Sequence, residues 1–110
     1  MAANYYVGSE PTIQVTCKDK VDGTVIHLSS PTAKDVEISY SIDGGTVTTT
    51  DMTQVSASAG TEKYTFPAAG QAGALDQEGD LEIQITIKES DGSVVLKSDF
   101  IRRRVIKALA

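Results

Sequence analysis

Residues 81–88, Leu-Glu-Ile-Gln-Ile-Thr-Ile-Lys, alternate apolar and polar side chains without a break. In an extended strand, successive side chains point to opposite faces. Leu81, Ile83, Ile85 and Ile87 therefore share one face, and Glu82, Gln84, Thr86 and Lys88 the other. A helix would spread the four apolar residues around its circumference. Burying all four stabilises by roughly 6–12 kcal/mol before the loss of chain entropy is subtracted. The spacing predicts a central strand of an antiparallel sheet with one wet face.

The rest of the chain can be placed around that strand. Residues 35–42 repeat its pattern, with Val36, Ile38, Tyr40 and Ile42 facing one way. Asp43-Gly44-Gly45 then supplies the positive-φ positions of a tight hairpin. Residues 46–50 return with one apolar side chain, Val47, which suits an edge strand. Upstream, residues 4–8 read as a short opening strand or arm, and Ile13, Val15 and Cys17 as the inward face of another strand. Residues 24–28 read as a short strand whose faces no alternation decides, closed by Pro31. Residues 54–57 suit a further edge segment. Residues 61–66 suit a strand with Tyr64 and Phe66 inward, and residues 75–79 one short turn of helix. Asp91-Gly92 marks a hairpin, after which Val94, Leu96, Ser98 and Phe100 fall on one face. About seven strands separated by turn signals fit a single antiparallel β-sandwich of immunoglobulin-like type.

The alternation conflicts with charge at the C-terminus. Continued from Phe100, it puts Arg102 and Arg104 in the core, where unpaired guanidinium groups are costly. The expectation is that the core stops near Phe100 and that residues 102–110 leave the sandwich as an arm or run past its rim. Val105, Ile106 and Leu109 would give that arm an apolar patch for another subunit.

The charge distribution points the same way. All 15 acidic residues and six of the 10 basic ones precede residue 102, a formal −9, whereas the last nine residues carry +4. An acidic body lacks the broad positive surface that nucleic-acid binding needs. It suits head-to-tail contact between like subunits, or an acidic neighbour for the tail. The chain of 110 residues fits one domain, with 40% apolar residues, no Trp and few aromatics, so the core is aliphatic. The first residues show neither a basic region nor an apolar stretch, so no signal peptide or transmembrane span is expected.

Catalytic patterns are sparse. His27 is the only histidine, and no G-x-S-x-G elbow accompanies it. Cys17 has no partner cysteine and reads as a small buried hydrophobe. Asp76, Glu78, Asp80 and Glu82 cluster without the spacing of a calcium loop, which suits a solvated turn, with a cation site as the sharper reading. No phosphate-binding loop follows Gly70 and Gly73. No enzyme and no cofactor is expected.

Several pieces resemble one family. Tyr5-Tyr6-Val7-Gly8 before Thr12-Ile13-Gln14-Val15-Thr16 is similar to the opening of small phage proteins that begin Tyr-Val-Gly-Asp. Residues 74–84, Ala-Leu-Asp-Gln-Glu-Gly-Asp-Leu-Glu-Ile-Gln, resemble the Leu-Asp-Gln-x-Gly-x-Trp/Leu segment that enters that family's central strand. The Asp-Gly hairpin and a closing Phe-x-x-Arg-x-Val, here Phe100 to Val105, follow in the same order. The family is the immunoglobulin-like N-terminal domain of phage baseplate upper proteins, with its short stand-alone virion relatives. Ser9 and Leu81 depart from its usual Asp and aromatic.

The resemblance implies a virion component made in a bacterial cytoplasm. It would bind other virion proteins, form homo-oligomers in the particle, and contact no membrane. Tyr5, Tyr6, Arg102, Arg103, Arg104, Val105, Ile106 and Leu109 are the candidate interface residues. The alternative is a module that binds carbohydrate or a host surface.

Overall fold

The computed structural model describes residues 4–19, 21–29 and 33–107. Among them it is all-β and sandwich-like, with no helix. The strands are β1 (Tyr5–Tyr6), β2 (Thr12–Thr16), β3 (Lys34–Ile42), β4 (Thr48–Asp51), β5 (Thr53–Ser56), β6 (Thr61–Thr65), β7 (Gly79–Glu89), β8 (Val94–Lys97) and β9 (Ile101–Ile106). A six-stranded mixed sheet runs β1-β9-β7-β3-β4, with β8 also on β7, and a three-stranded sheet runs β2-β6-β5.

The alternating segment is the 11-residue β7, with β3 along one side and β8 and β9 along the other. Leu81, Ile83, Ile85 and Ile87 are buried beside Val36, Ile38 and Tyr40. The small sheet faces them with Ile13, Cys17 and Phe66, so the two inner surfaces make one core. Asp43 and Gly44 both have positive φ, and Gly45 N donates to Ile42 O at 3.0 Å, which closes the expected hairpin. The chain crosses between sheets at Met52. That residue is buried between β4 and β5, and its N–H donates to Val36 O.

Three expectations are corrected. Residues 75–79 form no helical turn; Leu75 instead plugs the core, and its carbonyl accepts from Gly8 N at 2.8 Å. Residues 24–28 contribute only a single bridge, Lys18 to Val25. The third correction is the largest. Residues 102–106 neither leave as an arm nor run past the rim but, with Ile101, form β9, between β7 and β1, while residues 108–110 lie outside the described residues.

A one-residue insertion in the ladder explains β9. Thr86 faces Lys97 and Ile83 faces Ile101, so two β7 residues oppose three from the other strand, Ser98, Asp99 and Phe100. An extra residue shifts the register and reverses which side chains face in. Val105 is thus fully buried and Phe100 is 55% exposed, the reverse of the uninterrupted pattern. Arg102 and Arg104 stand on the outer face, while Arg103, opposite Leu81, takes the inward position at the end of the sheet and stays only half-buried.

Candidate protein-interaction surface

The register shift also builds the surface. Outward positions on β9 are Arg102, Arg104 and Ile106, with Phe100 just before them. β1 pairs in parallel with β9, Tyr5 opposite Val105 and Tyr6 opposite Ile106, so Tyr6 joins the same outer stripe. Tyr6 is 49% exposed.

Both arginines are held by carboxylates across the ladder. Arg104 Nη1 lies 2.9 Å from Asp80 Oδ1, and Arg102 Nη2 lies 3.1 Å from Glu82 Oε2. Asp80's hydrogen bond and charge raise the Arg104 pKa further above its ordinary value. Arg102 also sits over Phe100, its guanidinium carbon 5.8 Å from the ring centroid, in cation–π range. Exposed ion pairs of this kind add little to stability, so the arrangement orients the arginines more than it holds the fold. A groove of about 520 Å³ opens here, lined by Asp43, Asp80, Glu82 and the three arginines, among others. Val47 and Phe100 flank a smaller one of about 260 Å³ on the same sheet face.

The candidate interface residues separate accordingly. Tyr6, Arg102 and Arg104 are exposed, and Arg103 and Ile106 are half-buried. Arg103 Nη1 donates to Arg102 O at 2.8 Å. Val105 belongs to the core, and Tyr5 packs inward with its ring centroid 5.9 Å from that of Phe66. Leu109 lies outside the described residues. Sequence reasoning placed Phe100 in the core and so missed its place on the stripe; the cue was its spacing of two from Arg102.

Three of the four clustered acids contact β9 or the residue after it. Asp80 and Glu82 pair with arginines, and Glu78 Oε1 accepts from Lys107 N at 3.0 Å. Among the described residues no group of three His, Cys, Asp or Glu side chains could hold a metal ion. His27 Nδ1 accepts from Ser29 N at 3.2 Å in a local turn. Cys17 is buried, and desolvation, reinforced by the Glu62 charge, pushes its thiol up to about 11.

Compared with protein-family models, with curated proteins and with solved structures, the chain matches none.

Proposed function

We propose that the chain is an immunoglobulin-like structural subunit of a phage particle, which binds neighbouring virion proteins through the outer face of its large sheet. The strand order supports the fold reading. The run β9-β7-β3-β4 corresponds to G-F-C-C′ of an immunoglobulin sandwich, and β2-β6-β5 to B-E-D. The viral reading rests on the sequence resemblance described above.

The observation that carries the binding reading is the outer stripe Phe100, Arg102, Arg104, Ile106 and Tyr6. Aromatic residues and arginine dominate interface hot spots, and here both are presented by a sheet rather than by a mobile loop. The arginines are pre-oriented by Asp80 and Glu82, which lowers the entropy lost on docking.

The test is mass spectrometry of gradient-purified particles of the phage that encodes the chain. The expected result is the chain at several copies per particle. Its absence from intact particles would overturn the viral reading. A companion variant, Arg102→Ala with Arg104→Ala, should keep the parent's melting behaviour and lose incorporation. Tyr6 and Phe100 are also exposed rings of the kind that stack on sugars, which supports carbohydrate binding as a second reading. A specific glycan-array signal abolished by Phe100→Ser would favour it.

A further inference from the structure

Two rows of opposite charge run side by side on the outer face of the large sheet. Asp80 and Glu82 belong to β7, and Arg104 and Arg102 stand directly opposite them on β9. Each arginine is level with its acid, so the two rows share one spacing and the block is neutral as a whole.

The pairs within the chain use only part of each group. Arg102 gives Nε and Nη2 to a single oxygen, Glu82 Oε2. Arg104 gives Nη1 to Asp80 Oδ1. Among the described residues, Glu82 Oε1, Asp80 Oδ2 and the remaining N–H groups of both arginines make no further hydrogen bond. Free donors and free acceptors therefore come together at each level. An acidic neighbour would suit the arginines and repel the carboxylates, and a basic one would do the reverse. The surface that matches both carries an arginine row beside an acid row at the same spacing. The chain carries that surface itself.

A two-fold axis along the strands, between β7 and β9, completes the match. It exchanges the two rows and keeps their levels, because Asp80 faces Arg104 and Glu82 faces Arg102. Arg104 of a second copy then lies over Asp80, and its Arg102 over Glu82. Sheets packed face to face keep their strands within about 30° of each other, a twist that a block of two residues per row tolerates. The same rotation brings apolar surface together. Ile101 is opposite Ile83, so Phe100 lies near the level of Gln84. Phe100 of the second copy therefore arrives at the groove of about 260 Å³ that Gln84 lines between Phe100 and Val47. Phe100 is 55% exposed in the single chain, and Val47 62%.

We infer that the outer faces of two copies pack together about this axis, each copy's Arg102 and Arg104 lying over the other's Glu82 and Asp80. Such a contact is isologous, so it closes as a dimer. The inference rests on reading this face as the docking face and names the partner as a second copy.

Sedimentation of the purified full chain across concentration should show a monomer–dimer equilibrium, weaker at high salt. Two half-swapped variants then rearrange the charges. Arg102→Glu with Arg104→Glu makes both rows acidic, and Asp80→Arg with Glu82→Arg makes both basic. Each alone should stay monomeric, and their equimolar mixture should form a heterodimer. Phe100→Ser removes an exposed ring without touching the core, and should weaken association about tenfold or more. A parent that stays monomeric or grows beyond the dimer would overturn the inference. So would half-swapped variants that associate like the parent, or a folded pair that stays apart on mixing. Where circular dichroism shows a half-swapped chain unfolded, Phe100→Ser decides, and association equal to the parent's overturns the dimer. If the parent is monomeric while Arg102→Ala with Arg104→Ala is still lost from particles, the face docks another virion protein. The proposed function then survives and only the second copy falls.

Discussion

Tyr40 and Tyr64 meet hydroxyl to hydroxyl across the gap between the two sheets, 2.9 Å apart. Tyr40 Oη also donates to Gly73 O at 2.6 Å, which ties the loop before β7 to the core. The rings of both tyrosines pack edge-on against Phe66, at centroid distances of 4.9 and 5.1 Å. This cluster gathers three of the chain's six Tyr and Phe residues at one seam between layers. Tyr40→Phe keeps the packing but leaves the Gly73 carbonyl and the Tyr64 hydroxyl short of a partner. A loss of about 1–3 kcal/mol is expected in urea denaturation, with little change in the slope against denaturant.

Gly60 offers a sharper contrast with Gly44. Both have positive φ, yet a methyl group on Gly60 would lie 2.8 Å from Ile26 O and 3.0 Å from Cys17 O, whereas one on Gly44 meets nothing. Backbone oxygens cannot step aside without breaking the Cys17 N to Gly60 O and Ile26 N to Cys17 O bonds. Gly44→Ala should cost only the left-handed conformation, about 1–2 kcal/mol. Gly60→Ala should cost well over that. Equal losses in thermal melts would show that the close approach of residues 25–26 to the β5–β6 turn is not maintained.

Alkaline pH should expose the buried thiol. Cys17 ionises near 9.0 when unfolded but only at about 11 in the folded chain, because of desolvation first and Glu62 second. The folded pKa is raised, so the thiol's stabilising contribution is complete below pH 9 and is lost as pH rises toward 11. The loss is about 2–3 kcal/mol. Tyr40 adds to the fall above pH 10, since burial and then Tyr64 raise its pKa too. Cys17→Val cannot ionise, so the difference between its stability curve and the parent's isolates the thiol. Parallel curves from pH 8 to 11 would contradict the burial of Cys17.

Alternation made most of the large sheet legible. β7 and β3 are long, strictly patterned and central, so every inward residue carries the signal. Asp43-Gly44-Gly45 marked the hairpin because two adjacent positive-φ positions restrict the residue types. The same reading failed at Leu75, where a lone buried leucine held by loop packing shows no period at all. Glu62 stood on the inward side of its own strand in the sequence, next to Tyr64 and Phe66, but its charge hid its placement. β9 was misread for another reason. The additional residue among Ser98, Asp99 and Phe100 has no compositional mark, and an aromatic at Phe100 resembles a core residue.

That additional residue is stabilised by Ser98, and removing it gives the most direct test of the fold. Ser98 N donates to Ile85 O at 2.9 Å, while Ile85 N donates to Ser98 Oγ at 2.9 Å. The side chain thus accepts the N–H that the displaced backbone carbonyl would have taken in a regular ladder. Ser98→Ala should strand the half-buried Ile85 N–H and cost about 1–3 kcal/mol, largely restored by Ser98→Thr. Deleting Asp99 goes further, because it closes the extra position and returns the strand to unbroken alternation. Phe100 then turns inward, Val105 turns out to solvent, and Arg102 and Arg104 lose Glu82 and Asp80 for the apolar core. Exposing Val105 and burying two guanidinium groups should together exceed about 4 kcal/mol, enough to unfold a domain of ordinary stability. Phe100→Ser is the matched control: the ring is 55% exposed, so it should melt close to the parent. If the deletion variant melts with the parent and Phe100→Ser collapses, β9 runs in the other register and its arginines face the core.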